Sequence, residues 1–99
     1  MNDPDAAAPL LRALARSGPG FALDSIESRR WASATFSGER HVIVVTAEDT
    51  AALACWLAGL PSAEWNLPRR LVADLAVAAV ERQDGRARIT LEALTLDRD

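Results

Sequence analysis

Val80-Glu81-Arg82-Gln83-Asp84-Gly85-Arg86-Ala87-Arg88-Ile89 decides the fold of this chain. Asp-Gly between apolar-bearing runs signals a two-residue hairpin. Both central residues of that turn need positive φ, which Gly adopts freely and Asp tolerates. Working outward from Gln83 opposite Arg86, an antiparallel register sets Val80 opposite Ile89, Ala78 opposite Leu91 and Ala76 opposite Ala93. The same register sets Glu81 opposite Arg88, an opposite-charge cross-strand pair. Residues 71–80 have a competing reading as a helix, being Ala-rich with Pro68 before them and Gly85 after. The agreement of four pairings in one register favours the strand.

Residues 21–46 also read as strands. Trp31 to Phe36 and His41 to Thr46 form a second hairpin if Ser37-Gly38-Glu39-Arg40 is the turn, with Gly38 at the first loop position of a type II′ turn. That register sets Phe36 opposite His41, Ala34 opposite Ile43 and Ala32 opposite Val45. Asp24, Glu27, Arg29 and Arg30 form a mixed-charge stretch that suits a solvated sheet edge.

Two helices flank these strands. Residues 9–17 begin with Pro9 at the first helical position and place Leu10, Leu11 and Leu14 on one face, and Ser17-Gly18-Pro19-Gly20 ends them. Residues 49–60 carry Leu53, Trp56, Leu57 and Leu60 at the spacing of a buried helical stripe, with Thr46 or Asp49 available as the cap. The expected architecture is α+β: an antiparallel sheet of four to five strands, with turns near Gly38 and Asp84-Gly85, and helices packed on it. Residues 1–8 read as a flexible tail and residues 9–99 as one domain.

Composition narrows the function. The 99 residues are 49% hydrophobic and 25% charged, which suits a single small core. The net charge is −3, and all eleven cations are Arg. With no basic block to displace counterions, nucleic acid is not expected as a partner. The lack of Lys reflects genomic composition, and the overall look is that of a small bacterial protein. No run approaches the ~18 apolar residues of a membrane span. Cys55 is the only cysteine, so no internal disulfide forms, and the cytoplasm is the expected location.

No catalytic, metal or cofactor motif stands out. One Cys and one His do not make a zinc site. Cys55 reads as a small apolar residue of its helix, and His41 as a half-exposed residue beside Phe36. The informative features are two. First, one sheet face is expected to carry Phe36, Ala34, Ile43, Val45, Val80, Ile89, Ala78 and Leu91 under the second helix. The other mixes Trp31, Val42, Val44, Leu75, Val77 and Leu94 with polar residues. A half-apolar second face needs a cover, either the Leu10/Leu11/Leu14 helix or a second copy of the chain. Second, the Pro-bracketed loop 59–70 holds Trp65, Arg69 and Arg70, residue types enriched at binding sites. The expectation is a non-enzymatic interaction protein, a homodimer or a protein-partner adaptor. The alternative is a module for a small anionic ligand lined by Trp31, Trp65, Arg69 and Arg70.

Overall fold

The computed structural model describes residues 4–98. In chain order these form a 3-10 turn (Pro4–Ala7), α1 (Ala8–Ser17), β1 (Ala22–Ala32), β2 (Ser37–Glu48), α2 (Ala51–Gly59), a second 3-10 turn (Leu60–Ser62), β3 (Arg70–Gln83) and β4 (Arg86–Asp97). The strands make one antiparallel sheet in the order β1-β2-β4-β3. The fold is α+β, and residues 71–80 are strand. The Asp84-Gly85 turn adopts the expected backbone, with φ of 55° and 77°.

Central strands β2 and β4 alternate cleanly. Ile43, Val45 and Ala47 of β2 pair with Leu91, Ile89 and Ala87 of β4, and all six are buried on one face. Leu10, Leu14, Leu53, Leu57, Leu60, Leu67 and Leu75 close over them to complete the core. Each fully buried Leu or Ile adds roughly 1.5–3 kcal/mol relative to exposure. Because Leu10 and Leu14 join the same cluster as Leu53, Leu57 and Leu60, both helices lie on one face of the sheet. Trp56 explains why α1 stays there. Its ring lies against Gly18, stacks on Phe21 with ring centroids 5.8 Å apart, and donates from Nε1 to Ser17 Oγ at 2.9 Å. These contacts lock the end of α1 onto α2. Trp56 is thus half-buried at a helix junction, and Gly18 is extended (φ −149°), so it admits the ring of Trp56 and is not a left-handed cap.

Several local expectations change. The first hairpin turns at Ser33–Phe36, closed by Ser33 N–H donating to the Phe36 carbonyl at 2.7 Å, so Gly38 lies inside β2. Ala32 then pairs with Ser37, Trp31 with Gly38 and Ser28 with His41, replacing the register built on a Gly38 turn. Phe36 and Ala34 consequently sit in the turn and are exposed. In the second hairpin Val80–Ile89, Glu81–Arg88 and Gln83–Arg86 pair as expected, but register shifts occur at Ala78 and Ala73. The first shift pairs Val77, not Ala78, with Leu91, and Leu75, not Ala76, with Ala93. Val77 and Leu75 therefore turn toward the core side and Ala78 is exposed, opposite to a strict alternation. A β-bulge has this effect because one extra residue flips the side-chain phase. The cap of α2 is Thr50, which accepts from Leu53 N–H at 3.1 Å. Of the segment read as a tail, Pro4–Ala7 form a helical turn with Ala7 fully buried, and residues 1–3 lie outside the described residues.

Candidate functional site

The sheet registers define an outer face, opposite the helices, row by row. Trp31, Gly38, Leu96 and Leu71 form one row from β1 to β3. Arg29, Arg40, Leu94 and Asp74 form the next, then Glu27, Val42, Glu92 and Ala76, then Ser25, Val44, Thr90 and Ala79. Among the described residues no helix lies over these rows, since α1 and α2 both pack on the other side. Val42 is 40% exposed and Leu71 46%, while Trp31, Val44, Leu94 and Leu96 are half-buried by their neighbours in the sheet. The face is a four-stranded surface with an apolar row at one end and a charged band beside it.

The inner face ends in a polar network that reaches all four strands. Ser28 Oγ shares a 2.7 Å hydrogen bond with His41 Nδ1, and His41 Nε2 shares one of 3.0 Å with Thr95 Oγ1. All three residues are buried, and a neutral imidazole can satisfy one donor and one acceptor hydroxyl at once. Burial pushes the His41 ionisation below its usual range; Glu39 opposes the shift and Arg70 assists it. His41 is therefore a satisfied core residue of β2 and not a half-exposed neighbour of Phe36. Next to it the buried carboxylate of Glu39 accepts from Arg30 Nη1 at 3.1 Å and from Arg70 Nη1 at 3.3 Å. Arg30 also bonds Asp97, and Ser37 Oγ donates to the same Asp97 oxygen at 3.1 Å. The hydrogen bond from Arg30 holds the Asp97 carboxyl below the usual carboxylate range. This network stitches β1, β2, β3 and β4 together where the helices do not reach.

The four residues singled out in the sequence do not converge. Trp31 belongs to the outer face. Arg70 belongs to the inner network, spoken for by Glu39 and lying 4.0 Å from Asp97. Arg69 is exposed, has a left-handed backbone (φ 59°), and lends its carbonyl to Arg98 N–H at 3.0 Å. Trp65 is half-buried and packs on the core, beside Leu67, which is fully inside. Trp65 also lines a cleft of about 220 Å³ with Ser17, Cys55, Trp56, Gly59, Leu60 and Ala63. That lining has no charged side chain and includes neither arginine. A second, shallow concavity of about 610 Å³ lies at the Asp84-Gly85 end and is ringed by Glu81, Arg82, Asp84, Arg86 and Arg88.

Cys55 is exposed on α2, whereas His41 is enclosed by Ser28 and Thr95, so the two do not form a nucleophile–base pair. Among the described residues no group of three or more His, Cys, Asp or Glu could hold a metal ion. No helix among them is long and apolar enough to cross a membrane. Sequence reasoning missed Leu71, Asp74 and Leu96 as outer-face residues. Asp74 owes its side to the bulge at Ala78, which no local pattern announces, whereas alternation from Leu94 already places Leu96 there and Leu71 keeps the side that strict alternation assigns because the two bulges cancel. The chain matches no protein-family model, no curated protein and no solved structure.

Proposed function

We propose that this chain is a non-enzymatic interaction protein that self-associates, each copy covering the outer sheet face of the other. One observation carries the reading: α1 and α2 both pack on the inner face, so the row of Trp31, Leu96 and Leu71, and Val42 and Val44 beyond the charged row next to it, have no cover among the described residues. Uncovered apolar surface rimmed by polar residues marks interaction sites. An open antiparallel sheet with polar residues interspersed suits the aligned sheet-on-sheet packing of a two-fold dimer. We place it in the cytoplasm, where a reducing environment keeps exposed Cys55 a free thiol.

Light scattering after size exclusion, over a range of concentrations, tests the proposal. The expected result is a dimer at micromolar concentration that Val42→Arg shifts toward monomer while leaving the thermal unfolding of the monomer unchanged. A wild-type mass that stays monomeric at all concentrations overturns it.

The cleft beside Trp65 supports a second reading, a small-ligand module. Its uncharged lining suits an apolar or neutral ligand better than an anion, because Arg69 and Arg70 lie outside it. A thermal-shift screen comparing neutral aromatic compounds with acidic metabolites tests this reading. Stabilisation by the acidic set alone would contradict the lining.

A further inference from the structure

Building on the self-association reading, we propose that the dimer axis runs parallel to the strands, between β2 and β4, so that Arg29 of each subunit stacks over the partner's Asp74. The argument is one of symmetry. Two sheets packed face to face lie about 10 Å apart with strands aligned to within ~30°. A two-fold axis along the strands exchanges β1 with β3 and β2 with β4 but leaves each cross-strand row in place. Each row of the outer face then meets its own reversed copy.

The first two rows are self-complementary under this operation. Reversing the row Trp31, Gly38, Leu96, Leu71 sets Trp31 over the partner's Leu71 and Gly38 over the partner's Leu96, so the apolar row buries itself. Reversing Arg29, Arg40, Leu94, Asp74 sets Arg29 over the partner's Asp74, and symmetry makes this ion pair twice. Arg40 falls over the partner's Leu94, one step along the strand from the partner's Glu92. Val42 and Val44 fall over Glu92 and Thr90 of the partner subunit. Arg29, Arg40, Asp74 and Glu92 are all exposed in the single chain; Arg29 there pairs with Glu27 at 2.6 Å, an exposed contact that the partner's Asp74 would share or replace.

A two-fold axis running across the strands serves the same face less well. It sets Arg29 over the partner's Glu27, but it leaves Asp74 over Ala76 and places Trp31 and Leu71 against Ser25 and Ala79. The apolar row then meets small and polar residues. The footprint also fits a dimer. With the next row along the strands, Ala22, Thr46, Arg88 and Glu81, the outer face has five rows across four strands, which cover roughly 600–700 Å² per subunit from strand rise and spacing. That lies at the lower edge of the range of stable interfaces, about 600–1,000 Å² per partner.

The test uses the full chain with Arg29→Asp, Asp74→Arg and the double variant, their dissociation constants read by light scattering. Each single reversal sets like charges face to face twice and is expected to weaken the dimer at least tenfold. The double variant restores the opposite-charge pair and is expected to recover most of that loss. As a check independent of charge, Arg29→Cys and Asp74→Cys are each made in a Cys55→Ser background and treated with a short bismaleimide. Cross-linked dimer is expected when the two variants are mixed and not with either alone. If the wild type dimerises but the single reversals leave the constant unchanged, or cross-links form only within each variant alone, the axis is wrong while self-association stands. A monomeric wild type overturns both.

Discussion

Gly38 and Thr95 sit closer together than any side chain at position 38 allows: a Cβ on Gly38 would lie 1.9 Å from the Thr95 carbonyl oxygen. Gly38 pairs with Leu96 on one side and Trp31 on the other, so this close approach joins three strands at one end of the sheet. The glycine that resembles a turn residue in sequence is there because two backbones need the space.

Gly38→Ala is therefore expected to force β4 away from β2. The obstructing atom is backbone, which does not yield as a flexible side chain would. A cost of about 1–3 kcal/mol follows from such overpacking, or a fall in melting temperature of ~4–8 °C per kcal/mol for a chain of this size. Thermal unfolding followed by circular dichroism measures it. An unchanged melting temperature would mean that β2 and β4 are further apart than described.

His41 gives the protein a stability that depends on pH. Burial lowers its ionisation in the folded chain, with Glu39 opposing and Arg70 assisting, so the folded state holds it neutral at a pH where the unfolded chain already takes up a proton. The contribution is full above the unfolded value of about 6.5 and is lost as pH falls below it, until the folded His41 also ionises. Asp97 acts in a separate, more acidic window: its folded value is lowered from 3.8, so its contribution is present above that and is lost as pH falls through the folded value. Urea midpoints at about pH 7.5 and pH 5.5 are expected to differ in the wild type and to converge in His41→Gln. The variant is also expected to be less stable at both, since Ser28 and Thr95 lose a matched partner. An equal pH slope in both proteins would remove His41 as its source.

Glu39 is the buried hub of the inner network, 5% exposed and bonded to both Arg30 and Arg70. Glu39→Ala leaves two guanidinium groups without their buried acceptor, at an expected cost of about 2–3 kcal/mol. That sits at or below the usual figure for a broken buried pair, because both arginines retain access to water. Glu39→Gln keeps an acceptor without the charge and is expected to fall between. Equal stability of Glu39→Ala and wild type in urea unfolding would show that the network adds nothing net.

Particular residues show how far sequence reasoning reaches. Asp84-Gly85 was legible because the turn needs two consecutive positive φ values, a demand that few residue pairs meet. Leu53, Leu57 and Leu60 were legible because helical spacing alone puts them on one side. His41 was not, since its partners Ser28 and Thr95 are 13 and 54 residues away and lie on different strands. The loop 59–70 was recognisable as irregular, and Trp65 does pack onto the core. Yet nothing local to Arg69 and Arg70 foretold that one would stay exposed while the other turned inward to Glu39.

By itself, the sequence determined the class of fold, the second hairpin, the main helix and the existence of a half-apolar second face, because turn geometry and side-chain periodicity act within a few residues. Only the tertiary structure decided the first hairpin's register, the phase of β3 beyond Ala78, and the side of the sheet that α1 occupies. Each of these depends on contacts between distant segments. For the first, the Ser33–Phe36 turn closes the hairpin and the close approach of Gly38 to Thr95 holds Gly38 inside the sheet. The bulges opposite β4 set the second, and the docking of Trp56 on Gly18 and Ser17 sets the third. That last contact leaves the outer face open, because a helix pinned by Trp56 on one side of the sheet is not free to cover the other.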